Sequence, residues 1–222
     1  MVKAVIFDMD GVIVDSEPIH FESDRMTMKH YGKYITDEEL SRYVGVSNPD
    51  MWAELREKYQ LEATVEELLE TQFSYKKLLI GDRKLEPIDG IRELLEQLKG
   101  GEVRIGLASS SSREFIEFML SNLGLAGYFE VVISGEEVQR GKPFPDIFLK
   151  AAQGLGVEPS DCMVIEDSGH GVKAAKRAGM RCVGFVSPNS GKQDLSSADE
   201  VVCSIRQINH WGISKCDRIE AE

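Results

Sequence analysis

Apolar and polar positions follow two different rhythms along this chain, and the switch between them divides it. Val2, Ala4, Val5, Ile6 and Phe7 make an apolar run broken only by Lys3. A run this rich in β-branched and aromatic residues marks a strand covered on both faces of a parallel sheet. It ends in acid at Asp8 and Asp10, and Gly11 lets the chain turn. After Asp15-Ser16-Glu17-Pro18 the rhythm becomes helical, with no further strand until about Val103. Glu38 to Val44, Pro49 to Tyr59 and Val65 to Leu79 carry apolar residues at steps of three and four. Pro18 suits a first helical turn that Ser16 or Asp15 can cap, and Asp37, Asn48 and Thr64 stand where the next three helix caps are expected.

From Pro87 helix and strand alternate regularly, which predicts a parallel sheet with helices on both faces. The predicted helices are Ile88 to Lys99 and Arg113 to Asn122, with two more over Asp146 to Gln153 and Val172 to Ala178. The predicted strands are Val103 to Ala108, Val131 to Ser134, Met163 to Ile165, Cys182 to Val186 and Glu200 to Cys203. The pattern is that of an α/β core, residues 1–15 and 85–222, with an all-helical insertion over 16–84. The insertion leaves directly after the acidic pair and returns before the second strand, where a lid over a site would sit. The tail from about Ile213 is polar and is expected to fray.

Composition narrows the chemistry. The 222 residues carry a net charge of −12, so no basic field exists to hold nucleic acid or an anionic membrane surface. Cys162, Cys182, Cys203 and Cys216 lack CxxC or zinc-like spacing and read as reduced residues of a cytoplasmic protein. The N-terminus runs into the first strand without a basic leader, and no apolar run is long enough to cross a bilayer. Nothing in the pattern demands a partner, and a monomer is expected.

Four constellations fall at strand ends, where open α/β sheets bind ligands. Asp8 and Asp10 are two apart, so on extended backbone both carboxylates project to one side and repel unless a cation joins them; a hard ion such as Mg²⁺ is the natural companion. An ordinary strand-closing turn is the other reading of Asp10-Gly11. Ser109, Ser110, Ser111 and Ser112 end the second core strand and open a helix, a cradle for phosphate or a plain helix cap, with Ser109 the chosen contact. Gly141-Lys142-Pro143 holds a lysine in extended backbone rather than on a flexible helix face. Met163-Val164-Ile165 ends in Glu166-Asp167, repeating the opening theme; adjacent side chains face opposite ways, so Asp167 is the expected direct metal ligand and Glu166 its support. Acids at a helix start are the alternative reading of that pair.

Asp8-Met9-Asp10-Gly11-Val12, Ser109, Lys142 before Pro143, and Glu166-Asp167 resemble, in order and spacing, the four motifs of the haloacid dehalogenase-like phosphohydrolases. The stretches DMDGVIVDSEPIH, GKPFPDIF and VIEDSGHG look most like the branch containing β-phosphoglucomutase and small sugar-phosphate phosphatases. The resemblance runs to about residue 205 and implies a Rossmann-like core with a helical cap. It makes Asp8 the nucleophile and Asp10 the general acid and base, with Ser109, Ser110 and Lys142 on the phosphoryl oxygens. It implies Mg²⁺ at Asp8, Asp10, Glu166 and Asp167, with Asp10 contributing its backbone carbonyl. His20 matches a position seen in sugar-phosphate members, where it orients Asp10 or the acceptor; a plain helix-surface histidine is the alternative.

One departure separates the branch's two activities. Its mutases carry Lys-Gly-x-x-Arg on the cap, and the corresponding stretch here, Val44-Gly45-Val46-Ser47-Asn48, keeps the glycine without either cation. An uncharged loop loses the charge-assisted contacts that hold a bisphosphate through turnover. The expectation is a Mg²⁺-dependent phosphatase of a small phosphorylated metabolite of the sugar-phosphate kind, with a phosphosugar mutase as alternative. A receiver-type phosphoacceptor domain is disfavoured because it has no helical insertion after its first strand. A dehalogenase needs neither Asp10 nor the Glu166-Asp167 pair.

Overall fold

The opening apolar run forms β1, Ala4–Phe7, all four residues buried, at the centre of a six-stranded sheet. The computed structural model describes residues 2–81 and 85–208; Lys84 at the expected boundary, Cys216 and the tail from Ile213 lie outside them. The other strands are β2 (Arg104–Ser109), β3 (Val131–Ser134), β4 (Cys162–Glu166), β5 (Arg181–Phe185) and β6 (Glu200–Val202). Their order is β3-β2-β1-β4-β5-β6, and every pairing is parallel. The chain steps from β1 outward through β2 to β3, then crosses back to β4. The strand order thus reverses beside β1, and a doubly wound sheet opens a crevice at that point along its carboxyl edge.

Four helices follow β1: α1 (Glu17–His30), α2 (Asp37–Leu40), α3 (Asn48–Tyr59) and α4 (Val65–Ile80). Four more connect the later strands: α5 (Ile91–Gly100), α6 (Arg113–Leu123), α7 (Asp146–Leu155) and α8 (Gly169–Arg177). Both sheet faces are covered, as the unbroken apolar run requires. Val5 and Phe7 pack with α5 and α6 on one face, while Ala4 and Ile6 pack with α7 and α8 on the other. Cys162 and Cys182 are buried thiols of the second layer.

The helical insertion has its own apolar cluster, built on Met28, Leu40, Trp52, Leu55 and Leu68. Thr64 caps α4 with a full capping box, as expected, but two other caps sit one residue earlier than expected: Thr36 for α2 and Ser47 for α3. In both places a hydroxyl is better placed to accept from the third backbone N–H than the following Asp or Asn, which enters the helix instead. The expected helix over Glu38 to Val44 is a single α turn continued as 3₁₀ through Tyr43. Ser16 stands at the cap position of α1 without capping it; its hydroxyl is spent on Asp10.

Where α1 meets α4 the packing is polar as well as apolar. Gln72 donates to Asp24 at 2.5 Å, both buried, and Lys76 is 1% exposed with its Nζ 4.6 Å from the Phe115 ring centre. Burial pushes the Glu17 carboxyl up to about 7; His20 opposes the rise, Asp10 and Asp24 add to it, and Lys76 opposes it. The folded chain therefore holds the Glu17 proton more tightly than the unfolded one, whose value is 4.5, and stability falls as pH rises from about 5 through about 7. Glu17→Gln, which cannot ionise, should gain on the wild type across that window by up to about 3 kcal/mol. Thermal melts of both proteins near about pH 5 and about pH 8 read this; a melting difference identical at the two pH values refutes it.

Candidate active site

β1 and β4 lie side by side with Phe7 opposite Ile165, so Asp8 and the Glu166-Asp167 pair leave the sheet at one edge. The Asp8 N–H donates to the Ile165 carbonyl at 3.0 Å, which carries the strand pairing one residue into the site. Lys142, on the segment between β3 and α7, reaches under both. Its Nζ donates to Asp8 Oδ1 at 2.5 Å, to Glu166 Oε1 at 2.7 Å and to the Ala108 carbonyl at 3.2 Å. The lysine thereby ties the ends of β1, β2 and β4 together out of contact with water, its side chain 1% exposed.

Glu166 has no oxygen to spare. Its Oε2 accepts from the Ser168 N–H at 2.8 Å and the Ser168 hydroxyl at 2.9 Å, and a Cβ at Gly171 would stand 1.7 Å from its Oε1. Only glycine lets α8 begin that close to the carboxylate. Asp167 turns the other way: its Oδ2 accepts from the Ser190 hydroxyl, and it lies against Gly11. Gly11 has φ +76, and a Cβ there would come within 1.9 Å of Asp167 Oδ2, so this turn admits no side chain.

Asp10 does not face Asp8's lysine. Its Oδ1 accepts from the Ser16 hydroxyl at 2.6 Å and meets His20 Nε2 at 2.8 Å, while its Oδ2 accepts from Ser109 at 3.1 Å and Ser111 at 2.9 Å. Burial pushes its carboxyl up, but the charge and hydrogen bond of His20 and the Ser16 hydroxyl outweigh that and hold it well below the usual carboxylate range. The serine run divides its labour. Ser109 and Ser111 hold Asp10, Ser110 donates to the Gly45 carbonyl at 3.1 Å, and Ser112 caps α6.

The insertion closes over this edge. The Val44 carbonyl lies 3.4 Å from His170 Nδ1, and Val44, Gly45, Val46 and Asn48 wall a cavity with Asp8, Asp10, Asp167 and Ser110. The cavity measures about 60 Å³. Phe115 anchors the closure from the core side, with the His20 ring 5.2 Å and the Phe73 ring 6.4 Å from its own.

The donor set suits a small hard cation. Among the described residues no three His, Cys, Asp or Glu side chains converge as a ready-made metal cage. A cation that keeps its own waters needs only one or two carboxylates. Burial pushes the Asp8 carboxyl well up; Lys142 opposes this, and Glu166 and Asp10 add to it. Burial does the same to Asp167, reinforced by Glu166 and Asp8. One lysine does not balance these acids. Of the expected metal set of Asp8, Asp10, Glu166 and Asp167, Asp8 and Asp167 wall the cavity, both Glu166 oxygens accept from Lys142 and Ser168, and the Asp10 side chain is engaged by Ser16, His20, Ser109 and Ser111, contacts that do not involve the backbone carbonyl expected to contribute. Sequence reasoning read Ser111 only as one of the serine run and Ser16 only as a helix cap, and it missed Lys76 and Ser190, which nothing local marks as part of the site.

The sequence matches the haloacid dehalogenase-like hydrolase family over residues 5–185. It is 39% identical over 198 residues to a phosphorylated carbohydrates phosphatase of Thermotoga maritima, covering 88% of this chain and 91% of the relative. It is 37% identical over 212 residues to a β-phosphoglucomutase of Bacillus subtilis, covering 90% of this chain and 88% of that one. The crystal structure of β-phosphoglucomutase from Clostridium difficile superposes with a TM-score of 0.84 at 29% identity, covering 95% of each chain. The strand order, the acids at the point where it reverses, and a family match across most of the length agree: the chain belongs to the haloacid dehalogenase-like hydrolases.

Proposed function

We propose that the protein is a Mg²⁺-dependent phosphatase of a compact phosphorylated metabolite of the sugar-phosphate kind, working through an aspartyl-phosphate. The observation that carries this reading is the buried Lys142 between Asp8 and Glu166 at the crevice, with Asp10 held separately by His20. Asp8 attacks phosphorus through a carboxylate oxygen, the ester P–O bond breaks, and the leaving oxygen takes a proton from Asp10. His20 Nε2, 2.8 Å from Asp10 Oδ1, is the ring nitrogen in contact with that carboxyl. Water, deprotonated by Asp10, then attacks the aspartyl-phosphate and frees Asp8 and phosphate. A carboxylate nucleophile divides one hard displacement into two easier ones. Lys142, with the hydroxyl of Ser110 once it leaves the Gly45 carbonyl, neutralises and orients the phosphoryl oxygens, while Ser109 holds Asp10.

Asp8, Asp167 and the backbone carbonyl of Asp10 would hold Mg²⁺. Bound there, Mg²⁺ supplies positive charge to the transferring phosphoryl group. Residues 16–84 act as the cap, admitting substrate when they lift and excluding water when they close. Among the described residues the cavity wall presents Glu17 and Asp24 and no Lys or Arg, which disfavours a second anionic group on the substrate. The 37% identity to a β-phosphoglucomutase keeps a phosphosugar mutase as the second reading.

Three outcomes test these assignments. Asp8→Asn should keep the fold and lower turnover by at least about a thousandfold; near-wild-type phosphatase activity in that variant removes Asp8 as nucleophile. Chelation with EDTA should abolish activity and added Mg²⁺ restore it, and full activity in chelator ends the metal assignment. Given β-glucose 1-phosphate and a trace of bisphosphate, the enzyme should release phosphate faster than it forms glucose 6-phosphate. The opposite ranking makes it a mutase.

A further inference from the structure

The segment between β5 and β6 supplies a residue to the site that no motif announces. Ser190 is 1% exposed, and its hydroxyl donates to Asp167 Oδ2. A Cβ at Gly11 would lie 2.7 Å from the Ser190 oxygen, so the serine, the glycine turn after Asp10 and the Asp167 carboxylate form one close-packed group. The neighbours of Ser190 fasten it. Gln193 Nε2 donates to the Ser190 carbonyl at 2.9 Å while its Oε1 accepts from the Gly169 N–H at 3.2 Å, pinning the loop to the start of α8. Asn189 donates to Asp15 Oδ2 at 2.5 Å, pinning it to the chain that enters α1.

We infer that Ser190 is a positioning residue for the metal carboxylate. Its hydroxyl claims Asp167 Oδ2 and leaves Oδ1 as the oxygen that faces the cavity ion, fixing both the plane of the carboxylate and its one-oxygen mode of binding. This inference rests on the reading of Asp167 as a Mg²⁺ ligand. The physical need is specific to a site with few protein ligands. A cation held by only two carboxylates gains little from a third contact, so each carboxylate must be aimed beforehand, and partners one step out from a metal do that aiming. Asp8 receives the same service from Lys142, which occupies its Oδ1. Asp167 has no lysine, and Ser190 is its counterpart.

The test uses the full chain and MgCl₂ alone. Mg²⁺ titrations are followed by the rise in melting temperature without substrate and, separately, by the Mg²⁺ concentration giving half-maximal rate. Ser190→Ala should raise both midpoints by about tenfold, the low end of the usual cost of losing such a partner, while leaving the metal-free melting temperature nearly unchanged. Ser190→Ala with wild-type midpoints, whether or not its metal-free melting temperature falls, reduces the serine to a loop anchor and overturns the inference. Asp167→Asn separates the two levels. Loss of the Mg²⁺-induced rise in that variant with wild-type midpoints in Ser190→Ala sinks only the role of Ser190. A wild-type rise in Asp167→Asn sinks the metal reading beneath it.

Discussion

The arrangement depends on one buried contact, the Lys142 ammonium between Asp8 and Glu166. Two carboxylates and an amine taken out of water cost several kcal/mol each unless they find one another with good geometry. Here they do, because β1 and β4 run in register to adjacent ends and the Lys142 segment arrives beneath them from β3. The lysine also bonds the carbonyl at the end of β2, so three strand ends are set relative to one another by a single cation. Burial and the crowding of Glu166 still leave Asp8 and Asp167 with raised proton affinities.

Asp10 is governed by different neighbours and gains a different character. Ser16 and His20 come from the start of α1, while Ser109 and Ser111 come from the far side of the sheet. The carboxylate is thus clamped between the helical insertion and the core. Two aspartates two residues apart have opposite proton affinities: burial and neighbouring acids raise one, and a histidine lowers the other.

The insertion closes through neutral contacts. Ser110 donates to Gly45, and His170 meets Val44, with no ion pair among the described residues between the loop and the core at this seam. Contacts to backbone carbonyls are easily exchanged for water, which suits the proposed role of the insertion as a cap that lifts. The charge on the insertion side is instead buried deeper, in Glu17, Asp24 and Lys76.

Strand-like and helical rhythms, the acids at the ends of β1 and β4, the lysine fixed by its glycine and proline, and the uncharged cap loop were all legible along the chain, because each is a matter of local backbone preference and of which residue types follow a strand. The order of the strands across the sheet, the saturation of Glu166, the low proton affinity of Asp10, and the entry of Ser190 and Lys76 into the neighbourhood of the site were decided by the tertiary structure. These depend on which distant groups share a low-dielectric space, and a carboxylate's behaviour is set by those partners rather than by its neighbours in sequence.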